Sequence, residues 1–97
     1  MKVINWFRIQ GQSMEPYARE GDFVFARELF PWENYSVGDI VIAQDPRDRR
    51  NLILKRIASF NNSEYIIEGD NVVASTDSRT FGAITKASII GKVFWKI

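Results

Sequence analysis

Ser13 lies in the segment Gly11-Gln12-Ser13-Met14-Glu15-Pro16. Gly11 permits a sharp backbone approach there, and the turn that follows can aim amide groups at a carbonyl oxygen. A hydroxyl so placed is a candidate nucleophile, and it needs a base. A serine between a strand and a turn also serves as a helix N-cap, so the motif alone leaves both roles open. The chain contains no His and no Cys. That removes the Ser/His/Asp triad, a thiol nucleophile, a disulfide and the usual zinc ligands, and leaves Ser, Thr, Lys, Asp, Glu and Tyr for any hydrolytic chemistry.

Lys55 is the candidate. In the run Leu52 to Ile57, strand alternation puts Lys55 on one face with Ile53 and Ile57, and Arg56 on the other with Leu52 and Leu54. A lysine with pKa ~10.4 is neutral in only about one molecule in 2,500 at pH 7, so it is a poor base until desolvation lowers that value. If the Lys55 face points inward, the amine becomes usable; if the side chain snorkels from a strand edge, it stays an ordinary cation. A third group of residues follows: Gly69-Asp70-Asn71, then Ser75, Asp77 and Arg79. Asp77 and Arg79 are two apart and can pair on one side of an extended segment, and Ser75 can orient a nearby amine. The same residues also suit a polar loop of turn formers.

The elements that must position these groups read as short strands between turn signals. Val3 to Ile9 alternates, with Val3, Asn5, Phe7 and Ile9 on one face and Ile4, Trp6 and Arg8 on the other. Gly21-Asp22 introduces a strand at Phe23 to Arg27, and Gly38-Asp39 introduces the apolar run Ile40 to Ala43. Asp45 to Asn51 has the charge and proline of an exposed hairpin loop. Leu52 to Phe60, Tyr65 to Ile67 and Ser88 to Trp95 complete the strands, with a turn at Asn61-Asn62 and a polar irregular stretch from Ser75 to Gly82. No long amphipathic helix is encoded. The expected fold is therefore all-β: a small barrel or sandwich with one short helical turn after Ser13. Phe30, Trp32 and Tyr35 sit in a proline-containing loop, and core packing is the expected fate of their rings.

Composition narrows the function. The 97 residues fit one domain, 1–97, able to bury about 65% of its extended surface. Thirteen Lys and Arg against twelve Asp and Glu give a charge of +1, so no broad positive field points to a nucleic acid. The longest apolar runs fall far short of the ~20 residues of a membrane span, and Met1 to Gln10 lacks the pattern of a secretory signal. A cytoplasmic chain without a transmembrane anchor is the expectation.

The segments Gly11 to Pro16, Gly21-Asp22, Gly38 to Val41, Lys55 to Ile57, Gly69 to Asn71 and Ser75 to Gly82 resemble, in order, the boxes of bacterial type I signal peptidases. The resemblance runs from about residue 9 to residue 93. It implies a Ser/Lys dyad with Ser13 as nucleophile and Lys55 as general base, and no metal or cofactor. It further implies that Ser75 orients the Lys55 amine, that Asp77 and Arg79 form a supporting ion pair, and that Gly69, Asp70 and Asn71 hold the turn. Ile9, Met14, Ile53 and Leu54 would line shallow pockets for small substrate side chains.

Three positions depart from the family pattern. Gly11 stands where many relatives have an oxyanion-hole Ser, so the hole here leans on the Ser13 amide; Val72 replaces a common Arg, and Tyr17 a frequent Thr. The small size resembles the maturation proteases of the family, such as the nickel superoxide dismutase maturation protease, which implies removal of an amino-terminal extension from a precursor protein. Two alternatives stand beside it: signal-peptide processing at a membrane surface through Phe30, Trp32 and Tyr35, and an inactive peptide-binding module of the same fold.

Overall fold

The computed structural model describes residues 4–97. Seven strands make one antiparallel sheet: β1 (Ile4–Arg8), β2 (Phe23–Arg27), β3 (Ile40–Asp45), β4 (Asp48–Asn61), β5 (Glu64–Glu68), β6 (Ile84–Thr85) and β7 (Ile89–Lys96). Their spatial order is β1-β2-β7-β3-β4-β5-β6. The all-β expectation holds. The sheet is open, since β1 and β6 lie at opposite ends of the order, and strand pairing does not close a barrel. Val3, expected to begin the first strand, lies outside the described residues.

The continuous apolar run of β3 explains the packing, because a strand buried on one face would alternate and this one does not. Ile40 and Ile42 face a first core with Met14, Ala18, Val24 and Val93. Val41 and Ala43 face a second core with Tyr35, Ile57, Tyr65 and Ile67. β3 is thus a wall shared by two cores. Each fully buried Val or Ile there contributes roughly 1.5–3 kcal/mol relative to an exposed one.

Turn chemistry fixes the strand registers. Asn62 and Ser63 take φ of 52° and 64°, the left-handed pair of a two-residue hairpin that joins β4 to β5. The β3–β4 connection is shorter than expected: Pro46-Arg47 suffices, and β4 already begins at Asp48. Asp45 makes that possible by accepting the Arg47 amide at 2.9 Å and the Arg47 guanidinium at 2.8 Å.

Two other expectations change. The stretch from Ser75 onward is ordered, with a short helix α1 (Ser78–Phe81) whose N-cap is Asp77. After Ser13 the chain makes turns closed by one helix-type bond, from Ala18 N–H to the Met14 carbonyl at 3.0 Å, with no helix continuing from it. Of the three loop aromatics, Tyr35 packs in the second core, edge-on to Tyr65. Phe30 instead stacks on Trp32 at 4.7 Å, and Trp32 stays 76% exposed. Among the described residues, no helix is long and apolar enough to cross a membrane.

Candidate active site

A cleft of about 390 Å³ opens where the end of β1 approaches β4. Its walls include Phe7 to Gln10, Ser13 and Met14, Ile42 of β3, and Asn51 to Lys55 of β4. Ser13 and Lys55, 42 positions apart in sequence, therefore line one cavity. Ile9, Met14, Ile53 and Leu54 line it too. No direct hydrogen bond joins Ser13 to Lys55 among the described residues; such contacts often tighten only when substrate binds.

Lys55 is inward-facing. It pairs in register with Val41 of the second core, and only 3% of its surface is exposed. Burial pushes its pKa below the usual lysine range, against an opposing pull from the Asp77 carboxylate. The snorkelling alternative is set aside by this geometry. Lys55 Nζ donates to Ser75 Oγ at 3.0 Å, and Ser75 Oγ donates to Asp77 Oδ2 at 2.5 Å.

Asp77 decides the direction of that chain. Burial alone would raise its pKa. The Arg79 guanidinium, the Ser75 hydroxyl and the amides of Gly69 and Arg79 together hold it far below the usual carboxylate range. An ionised carboxylate only accepts, so the single Ser75 proton is committed to Asp77 and the Ser75 oxygen must accept from Lys55. One N–H of a neutral Lys55 is then occupied, and its lone pair is left for another proton donor in the cleft.

The turn Gly69-Asp70-Asn71 is the mechanical centre. A Cβ on Gly69 would lie 2.2 Å from Ser75 Oγ and 2.7 Å from the Ser13 carbonyl oxygen, so only glycine lets the two serine segments pack this closely. Gly69 N–H donates to Asp77 Oδ2 at 2.8 Å, and its carbonyl accepts from Arg79 Nη2 at 3.2 Å. Asp70 is paired with Arg56 through two bonds of 2.9 and 2.8 Å, and Arg56 also donates to the Gly38 carbonyl. Asn71 binds the Ser13 loop: its N–H donates to the Ser13 carbonyl at 2.8 Å, and its Nδ2 to the Gln12 carbonyl at 3.1 Å.

Gly11 sits apart from this group. With φ of +80° it shapes the loop, but it does not line the cleft, and its N–H donates to Glu20 Oε1 at 3.1 Å. Its amide is already used. The sequence reading missed Arg56, Glu20 and the second use of Asn71. Arg56 had a visible signal in its position beside Lys55 on the opposite strand face. The Asn71 contact spans 59 positions and had none.

A hydroxyl and a buried amine in one cleft, with a carboxylate-anchored serine behind the amine, define a site suited to acyl transfer onto a serine. The comparisons support a peptidase. A sequence profile described as Peptidase S24-like matches residues 3–94, and the chain belongs to this family. It is 36% identical, over 90% of its length, to the mitochondrial inner membrane protease subunit 1 of Homo sapiens, and equally to that of Mus musculus. The mitochondrial ATP-independent inner membrane protease subunit 1a of Arabidopsis thaliana is 28% identical over 98% of this chain and 71% of its own length. The chain spans 65% of the length of the human and mouse relatives. These matches support the resemblance to signal peptidases read from the sequence.

Proposed function

We propose that this chain is a serine endopeptidase that uses a Ser13/Lys55 dyad to remove an amino-terminal extension from a precursor protein. The observation that carries this reading is the buried Lys55, oriented by Ser75 in the cleft that Ser13 also lines. Neutral Lys55 takes the Ser13 proton as Oγ attacks the scissile carbonyl. The tetrahedral oxyanion is met by the Ser13 N–H, and protonated Lys55 then returns the proton to the departing amine. Water, deprotonated by Lys55, attacks the acyl-enzyme and releases the second product with Ser13 restored.

The strand edges suit a peptide. Among the described residues β1 pairs only with β2, and the 51–55 stretch of β4 lies outside the β4–β5 ladder, which covers Arg56 to Asn61. Both open edges belong to segments that line the cleft, so an extended substrate can add as a strand, with Ile9, Met14, Ile53 and Leu54 against its small side chains.

One substrate candidate is a cytoplasmic precursor such as that of nickel superoxide dismutase. The second reading is leader processing beside a membrane, favoured by the exposed Trp32, which stacks on Phe30, and by the relatives' names. Mass spectrometry of candidate precursors with wild type, Ser13→Ala and Lys55→Ala tests both. Either variant should lose roughly 10⁴-fold or more of the cleavage rate. Binding without any Ser13-dependent turnover would mark a peptide-binding module instead.

A further inference from the structure

Asn71 holds the two peptide planes on either side of the Ser13 α-carbon with two different groups. Its backbone N–H fixes the Ser13–Met14 plane through the Ser13 carbonyl at 2.8 Å. Its side-chain Nδ2 fixes the Gln12–Ser13 plane through the Gln12 carbonyl at 3.1 Å. In a trans peptide the carbonyl and the N–H point in opposite directions. A donor on the Gln12 oxygen therefore sets where the Ser13 N–H points. Among the described residues that N–H donates to no protein group, while its neighbour Gly11 N–H is occupied by Glu20.

We propose that the Asn71 side chain is the positioning residue of the oxyanion hole. It orients the Ser13 amide and, by accepting density from the Gln12 carbonyl, polarises it as a donor. The inference rests on the dyad reading above. Hydrogen bonds in a chain strengthen one another, so a donor on the carbonyl makes the N–H of the same peptide a better donor to a developing oxyanion. The Glu15 N–H also reaches the Gln12 oxygen, at 3.2 Å. It comes from within the same turn and moves with it, whereas Asn71 is fixed from outside, on the segment that carries Gly69 and leads to Ser75. The clamp thereby ties the hole to the wall that orients Lys55.

The role differs from simple support of the loop in what it affects. Asn71 has extended φ and ψ of −95° and 93°, which alanine adopts freely, and its side chain is partly exposed, so truncation opens no buried cavity. The backbone bond to Ser13 survives any substitution other than proline. Asn71→Ala should therefore lower kcat by about tenfold, less than the roughly 10²–10³-fold cost of losing a hole donor outright, with KM little changed. A peptide aldehyde, whose hemiacetal oxygen with Ser13 occupies the hole, should bind about tenfold more weakly. The acid limb of the pH–rate profile, set by Lys55, should not move.

Asn71→Asp separates orientation from shape. It fills the same space but presents a carboxylate to the Gln12 carbonyl, so it should be slower than Asn71→Ala; a space-filling role requires the opposite order. Asn71→Ser, which keeps a turn former and loses the reach, supplies the same kcat test should the alanine variant melt early. The inference is overturned if these variants keep wild-type kcat, if the loss lies in KM or in a shifted acid limb, or if aspartate outperforms alanine. A wild type without Ser13-dependent hydrolysis overturns the dyad reading itself and this inference with it. Wild-type hydrolysis with unaffected Asn71 variants overturns the inference alone.

Discussion

Lys55 is a residue whose burial works against the fold and for the site. Its pKa is lowered in the native state, so between that value and about 10.4 the unfolded chain binds a proton that the folded chain does not. Stability attributable to this group therefore rises with pH across that window and is at its lowest below it. Lys55→Met, which keeps the volume and discards the charge, should raise the melting temperature at pH 7 while abolishing cleavage; calorimetry and a peptide assay check both. For the wild type, kcat/KM should climb with pH through a single deprotonation below the usual lysine range, since in the proposed dyad only the neutral amine accepts the Ser13 proton. A profile flat from pH 5 to 9 would contradict the assignment. Two-residue alternation made the orientation of Lys55 readable, because Ile53 and Ile57 mark the buried face. What lay behind the amine could not be read from that strand, since Ser75 and Asp77 reach it from another segment.

The 69–82 segment works as one unit because Asp77 serves three masters. It caps α1 through the Arg79 amide, holds the Gly69 amide and receives the Ser75 proton. Asp77→Ala leaves these donors without their acceptor and should cost about 3 kcal/mol of stability, measured by denaturant unfolding. Because the Asp77 pKa is depressed in the folded state, its contribution is full above the unfolded value near 3.9 and is lost as pH falls below it. Acid unfolding of the wild type should therefore be steeper below about pH 4 than that of Asp77→Asn. Gly69→Ala should lower activity at least 100-fold by the same logic that ties small misplacements to large rate losses, since its Cβ falls on Ser75 Oγ. The sequence pointed to this segment as a set of partners and read it as irregular. A four-residue helix has no periodicity to detect; its cap, Asp77, was visible only as one half of an ion pair.

At the level of the molecule, two cores share one strand, so neither can come apart without exposing β3. Ile67→Ala, in the second core, should cost about 2–5 kcal/mol. Fluorescence of Trp6 and Trp95, on the β1–β2–β7 side, should report the same lowered midpoint as far-UV circular dichroism. Separate transitions would show that the cores unfold independently. The unbroken run Ile40 to Ala43 made this double burial legible in principle, and the turn signals located nearly every strand. Strand order was not legible, since nothing local in Ser88 to Trp95 says that it enters between β2 and β3.

That placement of β7 has a consequence for how the chain is made. The strand whose pairing joins the β1–β2 ladder to the rest of the sheet follows the other strands in chain order, so during synthesis the sheet lies in two separately paired parts until residues 89–96 emerge. Ser13 and Lys55 lie in the two different parts, linked across them by the Asn71 bonds to the Ser13 loop and by the shared first core. The cleft therefore gains its sheet-wide support only once residues 89–96 have paired with β2 and β3.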